Sequence, residues 1–239
     1  MNIVDQWLPE NVYCYSQVFC TDHYAEIMNL SPDLALNMKN ILPEALASSS
    51  QARQVSYLAG RGCALSALKM AGDKSRTTLG RTAHGLPAWP QGFVGSISHT
   101  MVGRHGIAIA VVAKNNEPQS IAIDCEPIFS IDHSNEVAPL TASVNEQRLG
   151  ERLGLRREHW LTMIYSLKET LFKLLYGHVN CFMPFEAAEI LSFDVVTGQV
   201  CLMLTVEWGD LPIGQRFWLQ VKEVDVEPVG CCVVSFGAV

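Results

Sequence analysis

The sequence predicts an α+β fold made of two similar lobes, 1–125 and 126–239. Three observations carry that expectation. Each half runs as an apolar-periodic helical stretch followed by strand candidates in succession, as helices packed on antiparallel strands do. A chain of 239 residues suits one large domain or two small ones. Hydrophobic residues make up 49% of it, enough core for both. No residue identity links the halves, so the repeat is one of pattern.

Taken in order, Val12–Phe19 reads as a strand, and Ser31-Pro32-Asp33 as a helix start with a serine cap. Pro43–Ala71 reads as a helix stopped by Gly72, with Val55, Leu58, Leu65 and Leu68 at helical spacing. On it Arg53 and Arg61 share a face, either as solvated arginines or as a basic cluster. Gly80–Gly92, with its glycines and prolines, is an irregular loop of the length that often carries function. Phe93–His99 is a short strand ending in polar residues, and Gly106–Ala113 is a buried strand expected to pair with 121–125 across a polar turn at Asn115–Gln119. Residues 128–145 look like loop. Val144–Leu153 reads as a helix ending near Gly154, and Glu158–Tyr176 as the longest helix, ended by Gly177. Strand candidates follow at 188–195, 200–207, 216–224 and 231–236.

Two stretches carry candidate chemistry. In Ile121–Pro127 a buried strand ends on Asp124 and Glu126, which alternation points to the same side. They are either a solvated strand end or a pair of like charges that a hard cation would bridge. In the 158–176 helix, Thr162, Ser166, Glu169 and Lys173 form one polar stripe on an otherwise apolar surface. Glu169 is either a plain i,i+4 partner of Lys173 or a third carboxylate, with Lys168 and Lys173 as counter-charges for a phosphate.

Composition narrows the function. A net charge of −7 excludes general nucleic-acid binding, so an anionic ligand needs a local basic cluster. No stretch approaches the ~20 apolar residues of a membrane span. The opening residues carry the early acid Asp5 and no apolar signal-peptide core, so a cytoplasmic protein is expected. The eight cysteines lie scattered, with no Cys-x-x-Cys pair, as free thiols in a reducing compartment would.

Five pieces recur together: Arg53 with Gly60-Arg61, Pro87-Ala88-Trp89-Pro90-Gln91-Gly92, Gly95-Ser96-Ile97-Ser98-His99, Ile123-Asp124-Cys125-Glu126, and Tyr165–Lys173. In this order and spacing the chain resembles the 4′-phosphopantetheinyl transferases of the large two-lobed kind, closest to the branch typified by enterobactin synthase component D. The resemblance covers about 53–173 and implies a pseudo-twofold pair of α/β lobes. Coenzyme A and Mg²⁺, with Mn²⁺ able to substitute, would lie in the cleft between them. It implies that phosphopantetheine passes from coenzyme A to a carrier-protein serine, releasing adenosine 3′,5′-bisphosphate, in siderophore or other non-ribosomal peptide synthesis. Asp124, Glu126 and Glu169 would hold the metal. Ser98 and His99, with Arg53 and Arg61 nearby, would meet the 3′-phosphate, and Lys168 and Lys173 the pyrophosphate. Asp124, Glu169 and Lys173 would carry the chemistry. Two positions depart from the family: Ala122 stands where glycine is usual, and Leu86 where a lysine often precedes the loop proline, leaving Arg81 or His84 to supply that charge. A monomer is expected.

Other classes fit less well. Gly95–His99 lacks the final glycine of a nucleophile elbow, and no phosphate-binding P-loop occurs. A Mg²⁺-dependent nucleotide phosphohydrolase would use the same carboxylates without a protein acceptor. A non-catalytic module binding carrier proteins or coenzyme A would have no need of three carboxylates.

Overall fold

In the computed structural model, which describes residues 7–23, 46, 48–73, 78–114 and 119–239, the chain divides into two units. The first comprises Met1–Ile123, Val226–Gly230 and Val239; the second comprises Asp124–Asp225 and Cys231–Ala238. The fold is α+β with two antiparallel sheets. The expected helix start at Ser31–Asp33 lies outside the described residues.

The first unit is built on β1 (Val12–Cys20), α1 (Gln51–Met70), β2 (Phe93–Val102) and β3 (His105–Lys114). The sheet order is β1-β3-β2. Its middle strand is buried from Gly106 to Ala113, as its unbroken apolar run requires. Leu58, Cys63, Leu65 and Leu68 of α1 pack on Ala108, Ala110 and Val112. Gly60 lets α1 lie close to β2: a β-carbon there would stand 2.8 Å from Ile97 Cγ2. The expected helix is interrupted: Leu46 is helical, residues 48–50 are not, and α1 starts at Gln51, while residues 43–45 and 47 lie outside the described residues. The serines at 48–50 compete for backbone hydrogen bonds, and the Ser50 side chain caps the helix by accepting from Arg53 N at 3.4 Å. Gly72, at φ +106°, ends it as expected.

The five-stranded sheet has the order β4-β8-β7-β6-β5, from β4 (Ile121–Pro127), β5 (Ala188–Asp194), β6 (Gln199–Leu204), β7 (Arg216–Val226) and β8 (Gly230–Ala238). The expected pairing of 121–125 with 106–113 is corrected. Both edges of β3 are taken by β1 and β2, and β4 pairs with β8. The helices of this unit are α2 (Ile131–Thr141), α3 (Val144–Arg152) and α4 (Arg157–Val179). Helix α2 replaces the expected loop. Ser130 Oγ accepts from His133 N at 3.2 Å, Asp132 sits in the positive first turn, and Ser134, Ala138 and Thr141 are buried along one side. Helix α4 runs through Gly177 and stops at Asn180, which takes the left-handed conformation at φ 56°. A capping box, Ser143 with Glu146, starts α3. No helix among the described residues is long and apolar enough to cross a membrane, and all eight cysteines are free.

Candidate active site

Each unit carries one group of the expected site residues. In the second, Asp124 is 2% exposed at the middle of β4, which runs on to Pro127, and Lys173 of α4 donates to its Oδ1 at 2.6 Å. This charge-assisted bond is short and shielded, with 27% of the lysine side chain and 3% of the aspartate exposed. Glu169 lies one turn back on α4. Burial pushes its carboxyl up first, Asp124 adds to the rise and Lys173 opposes it. Tyr165, edge-on to Phe129 and tilted against Phe185 with centroids at 5.6 and 5.2 Å, has its phenol pushed up to about 12, by burial first and then by Glu169, Glu126 and Asp124. The three expected carboxylates therefore act on one phenol, and Lys173 stands beside them. The donors suit a hard cation, being oxygen only. As placed they are not closed around one point: among the described residues no three His, Cys, Asp or Glu side chains form a group that could hold a metal ion.

The rest of the expected stripe serves packing. Thr162 Oγ1 donates to Glu158 O at 2.7 Å and accepts from Phe129 N at 3.0 Å. Ser166 bonds Ser235 at 2.7 Å, and both are fully buried. Lys168, expected to face the pyrophosphate, turns inward in this structure. Its side chain is 1% exposed, and its ammonium donates to Glu146 Oε2 at 2.9 Å and to Thr141 O at 2.8 Å. Glu146 in turn accepts from Ser143 N at 2.7 Å and from Ile190 N at 2.9 Å. On a helix, neighbouring residues point about a quarter-turn apart, so Lys168 enters the interior while Glu169 does not.

In the first unit, Arg53 is exposed, whereas Arg61 is 4% exposed. Arg61 Nη1 donates to Gly80 O at 3.0 Å, and its guanidinium lies over the Tyr57 ring at 5.0 Å. Burial lowers its pKa, Tyr57 opposes that, and Arg81 adds to the lowering, so two guanidiniums share this neighbourhood. The loop after Gly80 closes on itself: Arg81 Nε donates to Gly85 O at 2.9 Å and Thr82 N to Leu86 O at 2.8 Å, which leaves His84 exposed at its tip. Arg81, not His84, thus stands near Arg61. His99 and Ser98 fall on opposite faces of β2. His99 is exposed, with Cδ2 3.7 Å from where a Gly60 β-carbon would be, while Ser98 turns away and is buried. Only His99 of the two faces α1.

Known proteins resemble this chain along most of its length. The model of the 4′-phosphopantetheinyl transferase N-terminal domain matches residues 42–113, and that of the 4′-phosphopantetheinyl transferase superfamily matches 120–213. Enterobactin synthase component D of Escherichia coli is 34% identical over 200 residues, 82% of each chain. The chain belongs to the 4′-phosphopantetheinyl transferase superfamily. The same component of Salmonella typhi is 30% identical over 152 residues, and there the match spans only 60% of the relative's length. The 4′-phosphopantetheinyl transferase Svp of Streptomyces mobaraensis is 31% identical over 182 residues, 74% of this chain and 70% of that one. Against this superfamily background, three residues to which the sequence reading gave no role acquire a place: Tyr165 beside the carboxylates, Glu146 as the partner of Lys168, and Ser235 under α4. Glu146 had a legible signal, since Ser143-x-x-Glu146 spells a capping box. Ser235 had a fainter one, a lone hydroxyl inside an apolar strand.

Proposed function

We propose that this chain transfers 4′-phosphopantetheine from coenzyme A to a serine hydroxyl of an apo carrier protein, releasing adenosine 3′,5′-bisphosphate. The carriers proposed are those of siderophore or other non-ribosomal peptide synthesis, and the enzyme is proposed to act as a cytoplasmic monomer. The observation that carries the reading is the buried Asp124–Lys173 pair with Glu169 and Glu126 acting on the same phenol, in a chain of this superfamily. Asp124, Glu126 and Glu169 would have to close together from their present placement to hold Mg²⁺, or Mn²⁺ in its place. A divalent cation so held would neutralise charge developing on the departing phosphate. Lys173, the lysine of the two that stays near the surface, offers its ammonium to the pyrophosphate. A carboxylate of the set takes the proton of the attacking serine. Arg53, Arg61 and His99 hold the nucleotide end, with Arg61 also anchoring the loop at Gly80.

The direct test is incubation with coenzyme A, with and without an apo carrier protein, read by mass spectrometry of the carrier. A mass gain on the carrier supports transfer; nucleotide release without a carrier would replace it with hydrolysis. Excess EDTA should stop the reaction and added Mg²⁺ restore it, and full turnover in EDTA would remove the metal from the proposal. Arg53→Ala and His99→Ala should raise KM for coenzyme A several-fold with little change in kcat, the mark of lost uniform binding. A large fall in kcat at unchanged KM would move those residues into the chemistry.

A further inference from the structure

We propose that Ser235 of β8 is a positioning residue that sets Glu169 and Lys173 against Asp124; this rests on the transfer reading above. Ser235 is fully buried beneath α4. Its Oγ donates to Ser166 O at 2.9 Å, and stands 2.7 Å from Ser166 Oγ and 2.6 Å from Thr170 Oγ1. A hydroxyl has one proton, so with that proton on Ser166 O the two other hydroxyls must donate to Ser235. All the bonding capacity of this oxygen is then spent on one helix. Ser166, Glu169, Thr170 and Lys173 are spaced three, one and three, which is a single face of α4. The two residues gripped by Ser235 are the immediate neighbours of the two that serve the site.

Strand register ties the other end. Ile128 N donates to Cys231 O at 3.1 Å, and Ser120 and Val239 exchange both backbone bonds at 3.0 Å, the signature of directly opposed antiparallel residues. Counting along β4 and β8 from Ile128 and Cys231 sets Asp124 across from Ser235, with side chains on the same face. The serine under the helix is thus the cross-strand neighbour of the aspartate that Lys173 binds. A slide or rotation of α4 would break the hydroxyl bonds and the Lys173–Asp124 pair together. Hydrophobic packing alone is non-directional and fixes neither so sharply.

The test separates placement from stability. Ser235→Ala takes the acceptor from the buried Ser166 hydroxyl and leaves Thr170 only the longer bond to the carbonyl of residue 235 at 3.4 Å, and should lower the melting temperature. The triple variant Ser166→Ala/Thr170→Val/Ser235→Ala leaves no such hydroxyl and should recover most of that loss. If Ser235 positions the site, kcat for carrier modification in the triple variant stays down by about tenfold or more, while KM for coenzyme A stays within about twofold. Mn²⁺ affinity, read by electron paramagnetic resonance, falls by about tenfold. A triple variant with wild-type kcat and wild-type Mn²⁺ affinity overturns the inference and leaves the transfer reading standing. A wild-type protein that neither binds Mn²⁺ nor modifies a carrier overturns both. Should the triple variant not fold, Ser235→Cys keeps the shape and weakens the bonds. The same fall in kcat at unchanged KM supports the proposal there, and wild-type kcat overturns it.

Discussion

Replacing Glu169 with glutamine is expected to cut carrier modification by about 10²–10³-fold and to leave the fold intact. The carboxylate lies among Asp124, Glu126, Lys173 and Tyr165, so its charge is what the site would use. Its stability effect has a definite sign. Burial, and then Asp124, raise its folded pKa above the ordinary 4.5, so the folded protein holds this proton more tightly than the unfolded chain does. The stability it contributes is full below the unfolded value and is lost as pH rises through the folded one. At neutral pH the ionised group is a repulsive neighbour of Asp124. Glu169→Gln should therefore melt at or above the wild-type temperature at pH 7 without metal, with the gap closing as pH falls. Melting curves across pH, with a carrier-modification assay, check both halves. A marked loss of stability with near-normal transfer would make α4 scaffold and sink the catalytic assignment.

Lys168→Met is expected to do the opposite: a loss of about 3–5 kcal/mol in unfolding free energy, with KM for coenzyme A nearly unchanged. The substitution removes the cation bonded to Glu146, which is wholly buried. The carboxylate would keep Ser143 N and Ile190 N but not its counter-charge. The first closes the cap of α3 and the second ties α3 to β5, so the damage should spread beyond the lysine. Urea unfolding should show a lower midpoint at unchanged slope. Retained stability with a many-fold rise in KM for coenzyme A would return Lys168 to the pyrophosphate, where the family resemblance had put it.

The contrast between these two neighbours shows how far the sequence could be read. Lys168 and Glu169 stand side by side in one motif, and nothing in the motif says that one of them turns inward to a helix cap. That information lies in Glu146, far along the chain, and becomes visible only when α3 packs on α4. The strands and the long helix were legible because their apolar spacing is local. Helix α2 was not, since Asp132, His133, Ser134, Asn135 and Pro139 are weak helix formers, and packing on α4 overrides their preference. The partner of β4 was illegible for a related reason: proximity in sequence favoured β3, but β3 was already paired on both sides. The carboxylates of β4 and α4 could be named from their motifs. Their hydroxyl anchor could not, because Ser235 has no motif, only a position across from Asp124.

The place of β8 beside β4 has a consequence for synthesis. Strand β4 leaves the ribosome about a hundred residues before Gly230 opens β8. Throughout that interval Asp124 rides on a strand whose one neighbour in the sheet does not yet exist. Pairings across so long a stretch of chain form late and leave the early strand open to wrong partners. A nascent chain halted before Gly230 would already contain every carboxylate and lysine of the motif. It would still lack the strand against which they are aligned, and so would be an inert product carrying every residue of the proposed site.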